Sequence, residues 1–280
     1  MMYVPALILF VIFIFYPFFK GLQLSLTNWN GFSPRFEWIG LDNYKRMIQD
    51  RNTWLIIKNT LIFGAGSTIL QNVIGFFYAL LLNQGIRTKE YTRMIVYLPV
   101  IISPLIMGYI WYYIFRYNGG AANDLFLLFS DTKLNLLANP QLNVWIITLV
   151  NTYQFLGISM IIYLAGLQSI SKEYYEAAEI DGASKSKQLA HVVIPLLTPA
   201  ITISVMINLI LGLKLFDVII ALTNGGPGYA SQSLSTMMYQ LYFAKQDAGY
   251  ASSLGILLFV LISVISFAIL RFLKSKEVHA

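Results

Sequence analysis

Predominantly apolar runs extend from Tyr3 to Phe19, Leu55 to Leu82, Met94 to Phe115, Leu142 to Leu167, Ala200 to Leu222 and Tyr250 to Leu270. Each is close to the roughly 20 residues that a helix needs to cross a bilayer. Backbone groups in hydrocarbon must be satisfied within their own segment. The pattern therefore predicts an all-α membrane protein, one domain over residues 1–280 with six transmembrane helices. The first run has no basic residue before it and no small-residue cleavage site after it, so it reads as a retained helix rather than a secretory signal.

Three connecting segments carry patterns of their own. Tyr44, Met47 and Ile48 recur at helical spacing, with Lys45, Arg46, Gln49 and Asp50 on the other side, as in a helix lying at an interface. After the turn residues "TNGGPG", Leu234, Met237, Met238, Leu241 and Tyr242 form a second stripe. Both stripes fit helices resting among headgroups at least as well as helices docked to a partner protein. The third segment, 168–198, contains, with Pro199 after it, "EYYEAAEIDGASKSKQLAHVVIPLLTP", with four acids and, counting His191, three bases. Ser169 or Ser171 can cap a helix beginning near Lys172, and Gly182 supplies the left-handed residue that ends it. A second short helix is expected from Ser184 until Pro195 stops it. The result is a polar helix, turn and helix outside the membrane, shaped to sit in another protein's groove.

Composition agrees: 57% of residues are hydrophobic and 11% charged, against about 25% charged in soluble domains. The net charge of +6 needs no nucleic acid, because Lys and Arg beside the spans account for it. With the N-terminus inside, Lys and Arg divide nine to eight between inner and outer segments, which leaves the orientation open on charge alone. There is no cysteine, hence no disulfide or thiol chemistry. No GxxxxGK[ST] run is present, and "GASKSK" lacks its spacing, so the chain has no phosphate-cradling loop of its own. His191 and His279 cannot supply HExxH, and no GxSxG elbow exists, so no catalytic or metal residue is assigned.

Three ionisable residues fall inside the spans: Lys58, Lys214 and Asp217. Lys58 lies near a span end, where it can snorkel. Lys214 and Asp217, three apart, are expected on one helix face, as an internal ion pair or as the relay of a self-sufficient secondary transporter or channel. An intramembrane enzyme using Asp217 is a further alternative. Among neutral groups, Asn151, Gln154, Phe155 and Ile158 share a face of the fourth span, and Asn208, Leu211, Gly212 and Leu215 a face of the fifth. Amides with an aromatic suit a hydroxyl-rich solute; interhelical hydrogen bonding and close packing explain them equally well. Pro99 and Pro104 predict a kinked or unwound third span.

The run "EAAEIDGASKSKQLAHVVIP" resembles the EAA loop of ABC importer permeases: EAA, three residues, Gly, nine residues, then I-x-L-P. Glu176, Ala177, Ala178, Gly182 and Pro195 fall in register, with Val192 and Ile194 at the Ile and Leu positions. "FDVIIALTNGGPG", "GLDNYKRMI" and "NTLIFGAGSTILQNVIGFFYALLLN" are similar to the MalF-like branch of carbohydrate permeases, known from the maltose transporter. The resemblance implies six spans with a cytoplasmic coupling helix-turn-helix between the fourth and fifth, and a bacterial or archaeal cytoplasmic membrane with both termini inside. It implies a second homologous permease, two copies of an ATPase subunit that bind ATP and Mg, and an extracytoplasmic solute-binding protein. The chain itself would hold no cofactor; its other contacts would be membrane lipid and a carbohydrate. Glu176 would then sit in the ATPase cleft, and Asn151, Gln154, Phe155, Asn208 and Gly212 would match the sugar-contact positions. The solute stays open among oligosaccharide, monosaccharide, sugar acid and glycerol-phosphate types.

Overall fold

In the computed structural model, which describes residues 3–85 and 87–277, every element is a helix; His279 lies outside the described residues. The long helices are α1 (Val4–Leu24), α3 (Arg51–Asn83), α7 (Leu142–Ser169), α9 (Lys185–Leu213) and α12 (Ala248–Lys274). These five are long and apolar enough to cross a membrane. The short ones are α2 (Asp42–Gln49), α4 (Lys89–Ile101), α5 (Pro104–Phe115), α6 (Ala121–Phe126), α8 (Lys172–Ile180), α10 (Asp217–Leu222) and α11 (Leu234–Tyr239).

The third apolar run is not one kinked helix. Helices α4 and α5 meet at 100° around Ile102 and Ser103, so this pair crosses only if the two pieces count as one broken span. Pro99 is accommodated inside α4, and Pro104 opens α5 at a position where a missing N–H costs nothing. Three other prolines, Pro17, Pro195 and Pro199, also leave their helices intact. Pro195 was expected to end a short helix, yet α9 runs through it to Leu213. A π turn, Leu189–Val193, precedes it, with the Ile194 N–H bonded to the Leu189 carbonyl. The widened turn moves the carbonyl four residues back away from the pyrrolidine ring. Pro17 in α1 follows the π turn Val11–Phe15 at the same spacing.

The fifth run, expected to continue to Leu222, leaves the helix at Leu213. The chain turns at Lys214–Phe216 and starts α10 with Asp217 in its first turn. The Leu215 carbonyl freed by the turn accepts the Ser233 hydroxyl at 2.7 Å, and Ser233 caps α11. Lys214 and Asp217 therefore stand on opposite sides of a break, and no ion pair joins them among the described residues. Lys58 is exposed in the third turn of α3, consistent with snorkelling.

Three apolar clusters hold the elements together. Met47, Ile56, Leu234, Met237, Leu241 and Tyr250 pack α2, α3, α11 with the turn after it, and α12 into one end of the bundle, so both stripes pack against the chain's own helices. Phe63, Met107, Ile147, Val218 and Ile219 join α5 and α10 to α3 and α7. Ala79, Met160, Tyr163, Leu167, Val193 and Leu197 join the opposite ends of α3, α7 and α9.

Candidate functional site

Helix α8 lies directly after α7, at the end where α3, α7 and α9 share the Leu82–Leu167–Val193 cluster. Ser171 caps it, accepting from the Glu173 N–H at 3.4 Å. Gly182 ends it at φ +70, with Gly182 N–H bonded to the Glu179 carbonyl and Ala183 N–H to the Ala178 carbonyl, a Schellman pair. Tyr175 and Ala178 turn inward, Tyr175 onto the shared cluster. Partial burial pushes the Tyr175 phenol above its ordinary value. The opposite face, Glu173, Glu176, Ala177 and Ile180, is exposed, Ile180 to 86%. Spacing of i, i+3, i+4 and i+7 puts these four on one stripe: two carboxylates, a small residue and an unpartnered isoleucine. A cleft of about 650 Å³ separates α8 from the end of α3, lined by Leu80, Gln84, Tyr175, Lys185 and Gln188.

The amides of the spans form a seam inside the chain. Asn151, Gln154 and Asn208 are each at most 1% exposed. Gln71 Nε2 on α3 donates to the Asn151 carbonyl at 2.9 Å, and Asn208 Nδ2 on α9 to the Ser159 hydroxyl of α7 at 2.6 Å. Gln154 Nε2 donates to the Ile102 carbonyl at 3.1 Å, meeting the backbone group left free between α4 and α5. Gly212 lies against α3, where an added Cβ would come 3.0 Å from Gly64 Cα and 3.1 Å from the Phe63 carbonyl. Phe155 is half-buried. These contacts tie Asn208, Gln154 and Gly212 to neighbouring elements of the same chain. Five amide atoms, on Gln71, Asn151, Gln154 and Asn208, have no protein partner, which leaves the seam spare hydrogen-bonding capacity.

Gln154→Leu tests the seam. Loss of the Ile102 partner is expected to cost about 1–2 kcal/mol, read as a lower melting midpoint of the detergent-solubilised chain with solute affinity unchanged; an altered affinity at unchanged stability would assign Gln154 to solute instead.

Sequence reasoning missed Gln71, Ser159 and the Asn72–Tyr163 hydrogen bond, because polar residues scattered in apolar runs announce no partner. It also missed the stitching of residues 223–234 onto the spans by Asn59, Thr60 and Asn143.

Residues 71–278 match the family described as binding-protein-dependent transport system inner membrane component. The probable starch degradation products transport system permease protein AmyD of Thermoanaerobacterium thermosulfurigenes is 33% identical, over 98% of this chain and 93% of its own length. Among solved structures, a bacterial ABC transporter involved in the import of the acidic polysaccharide alginate superposes with a TM-score of 0.85 at 26% identity, covering 98% of this chain and 94% of that one. A bacterial alginate ABC transporter in complex with an alginate pentasaccharide-bound periplasmic protein gives 0.80 at 25% identity, covering 97% and 91%. With three quarters of its length inside that match, the chain belongs to the family of inner membrane components of binding-protein-dependent transport systems.

Proposed function

We propose that this chain is the permease subunit of an ATP-driven, binding-protein-dependent sugar importer, working beside a second homologous permease and two ATPase subunits. As a permease it carries no ATPase activity of its own; ATP and Mg belong to the ATPase partners. The bent pair α4 and α5 counts as one span, giving six. The membrane is the bacterial or archaeal cytoplasmic one, with both termini and α8 on the cytoplasmic side, and a solute-binding protein delivers sugar to the opposite face.

The observation that carries the reading is the exposed stripe Glu173, Glu176, Ala177 and Ile180 on a helix capped at both ends between two spans. A small residue lets a partner backbone approach, the isoleucine supplies an apolar anchor, and the carboxylates pair with a basic residue of the ATPase. Because Tyr175 seats α8 on the cluster shared by α3, α7 and α9, movement of α8 on ATPase closure carries those helix ends with it and switches the opening between membrane faces. A carbohydrate as cargo is supported by the starch-product and alginate transporters that the chain resembles.

In proteoliposomes containing the assembled complex, ATP hydrolysis and uptake of a labelled sugar are expected to rise together when sugar-loaded binding protein is added. Flux through the purified chain alone, gradient-driven and indifferent to ATP, would instead establish the secondary-transporter alternative. The break between Lys214 and Asp217 already counts against that alternative, since it removes their common helix face.

A further inference from the structure

At the end of α7 opposite α8, a cleft of about 350 Å³ opens between the end of α5, the segment 116–141 and the turn after α10. Tyr112, Arg116, Tyr117, Asn135, Thr223 and Pro227 line it. Its volume falls in the range of small-molecule sites. The walls are built to hold shape. The fully buried Asn123 amide donates toward the carbonyls of Arg116, Tyr117 and Leu134 and accepts the Leu134 N–H at 2.8 Å. Asn143, also fully buried, donates to the carbonyl of Gly226, a residue of the cleft wall, at 3.0 Å.

Arg116 is fixed at its root and free at its tip. Its Nε donates to the Gly119 carbonyl at 3.1 Å and its guanidinium lies 4.8 Å from the Tyr113 ring centroid. No carboxylate pairs with it among the described residues. Lys133, over the Tyr117 ring at 5.4 Å, adds a second positive charge at the rim. A positioned guanidinium fork recognises a planar carboxylate, and tyrosine faces accept the C–H face of a pyranose ring.

We propose that this cleft is a receiving subsite for an acidic saccharide, whose carboxylate pairs with Arg116 while its ring lies against Tyr112 and Tyr117. The assignment deepens the importer reading and rests on it for placing the cleft on the face that meets incoming solute. It makes the substrate class uronate-bearing rather than neutral sugars.

The test uses the assembled complex in nanodiscs without ATP or binding protein, with radiolabelled trigalacturonate and maltotriose as probes in equilibrium dialysis. Wild type is expected to bind trigalacturonate, more weakly as salt rises. Arg116→Gln is expected to weaken that binding about tenfold or more, with Arg116→Lys intermediate because it keeps the charge without the fork, and maltotriose unaffected. Gel filtration checks that each variant assembles; should Arg116→Gln fail to assemble, the comparison of Arg116→Lys with wild type decides. Wild type that does not bind trigalacturonate, or binding equal in wild type and variants, overturns the proposal. So does a variant that loses only co-purified anionic phospholipid, or only capture of the binding protein. A complex whose ATPase no sugar-loaded binding protein stimulates overturns the importer reading instead, a result read independently of the dialysis.

Discussion

Gly75→Leu is expected to unpack the bundle, because this glycine sets the closest approach of α3 to α7. A Cβ at this position would lie 2.6 Å from Ser159 Cβ, 2.9 Å from the Met160 nitrogen and 3.2 Å from the Leu156 carbonyl oxygen. Two of those atoms are helix backbone, which cannot yield without moving α7 itself. Overpacking of this kind costs about 1–3 kcal/mol and sometimes more. In a bilayer the loss falls on the close packing that drives helix association. Separation of α3 from α7 would also stretch the Gln71 bond to Asn151 and the Asn72–Tyr163 bond. A fall of about 3 kcal/mol in resistance to denaturant, with loss of the monodisperse gel-filtration peak, is the expected result, and Gly75→Ala should show a smaller fall. A Gly75→Leu chain as stable as wild type would mean that the α3–α7 contact is looser than described.

The second large effect is on coupling. Glu176 is exposed, so Glu176→Ala should leave insertion and folding intact while uptake falls about tenfold or more, the loss of one charge-assisted contact to the ATPase. Gly182→Pro should abolish uptake. Proline fixes φ near −65°, whereas residue 182 sits at +70 and donates its N–H to Glu179. Open space surrounds Gly182, so backbone conformation and not crowding causes the effect. Gly182→Ala should consequently fall between the two. Uptake measured beside the amount of co-purified ATPase separates uncoupling from disassembly. Full transport in both Glu176→Ala and Gly182→Pro would remove α8 from the coupling role.

Much of this was legible because the physics is local. Run lengths disclose helices of membrane length, and the Ser171 cap and Gly182 stop follow from one side chain and one backbone angle. What stayed hidden depended on partners distant in sequence. Pro195 was misread because the compensating π turn leaves no mark on residues 189–193. The end of α9 at Leu213 depends on Ser233, twenty residues on, whose hydroxyl donates to the Leu215 carbonyl. The partners of Gln154 and Asn208, the Ile102 carbonyl and the Ser159 hydroxyl, lie 52 and 49 residues away in sequence, and the Asn151 amide has no protein partner. The Arg116 cleft escaped notice because Asn123, which shapes it, is one polar residue in an unremarkable loop.

Because the chain contains no cysteine, a single thiol at Ala177 gives an unambiguous reporter on the exposed stripe of α8. The measurement is bifunctional cross-linking of the tagged Ala177→Cys chain in native membranes, followed by mass spectrometry of the product. The account predicts a cross-link to a nucleotide-binding subunit whose yield changes with ATP. A thiol that reacts only with impermeant reagent from the outer face, and yields no ATPase-linked product, would contradict it.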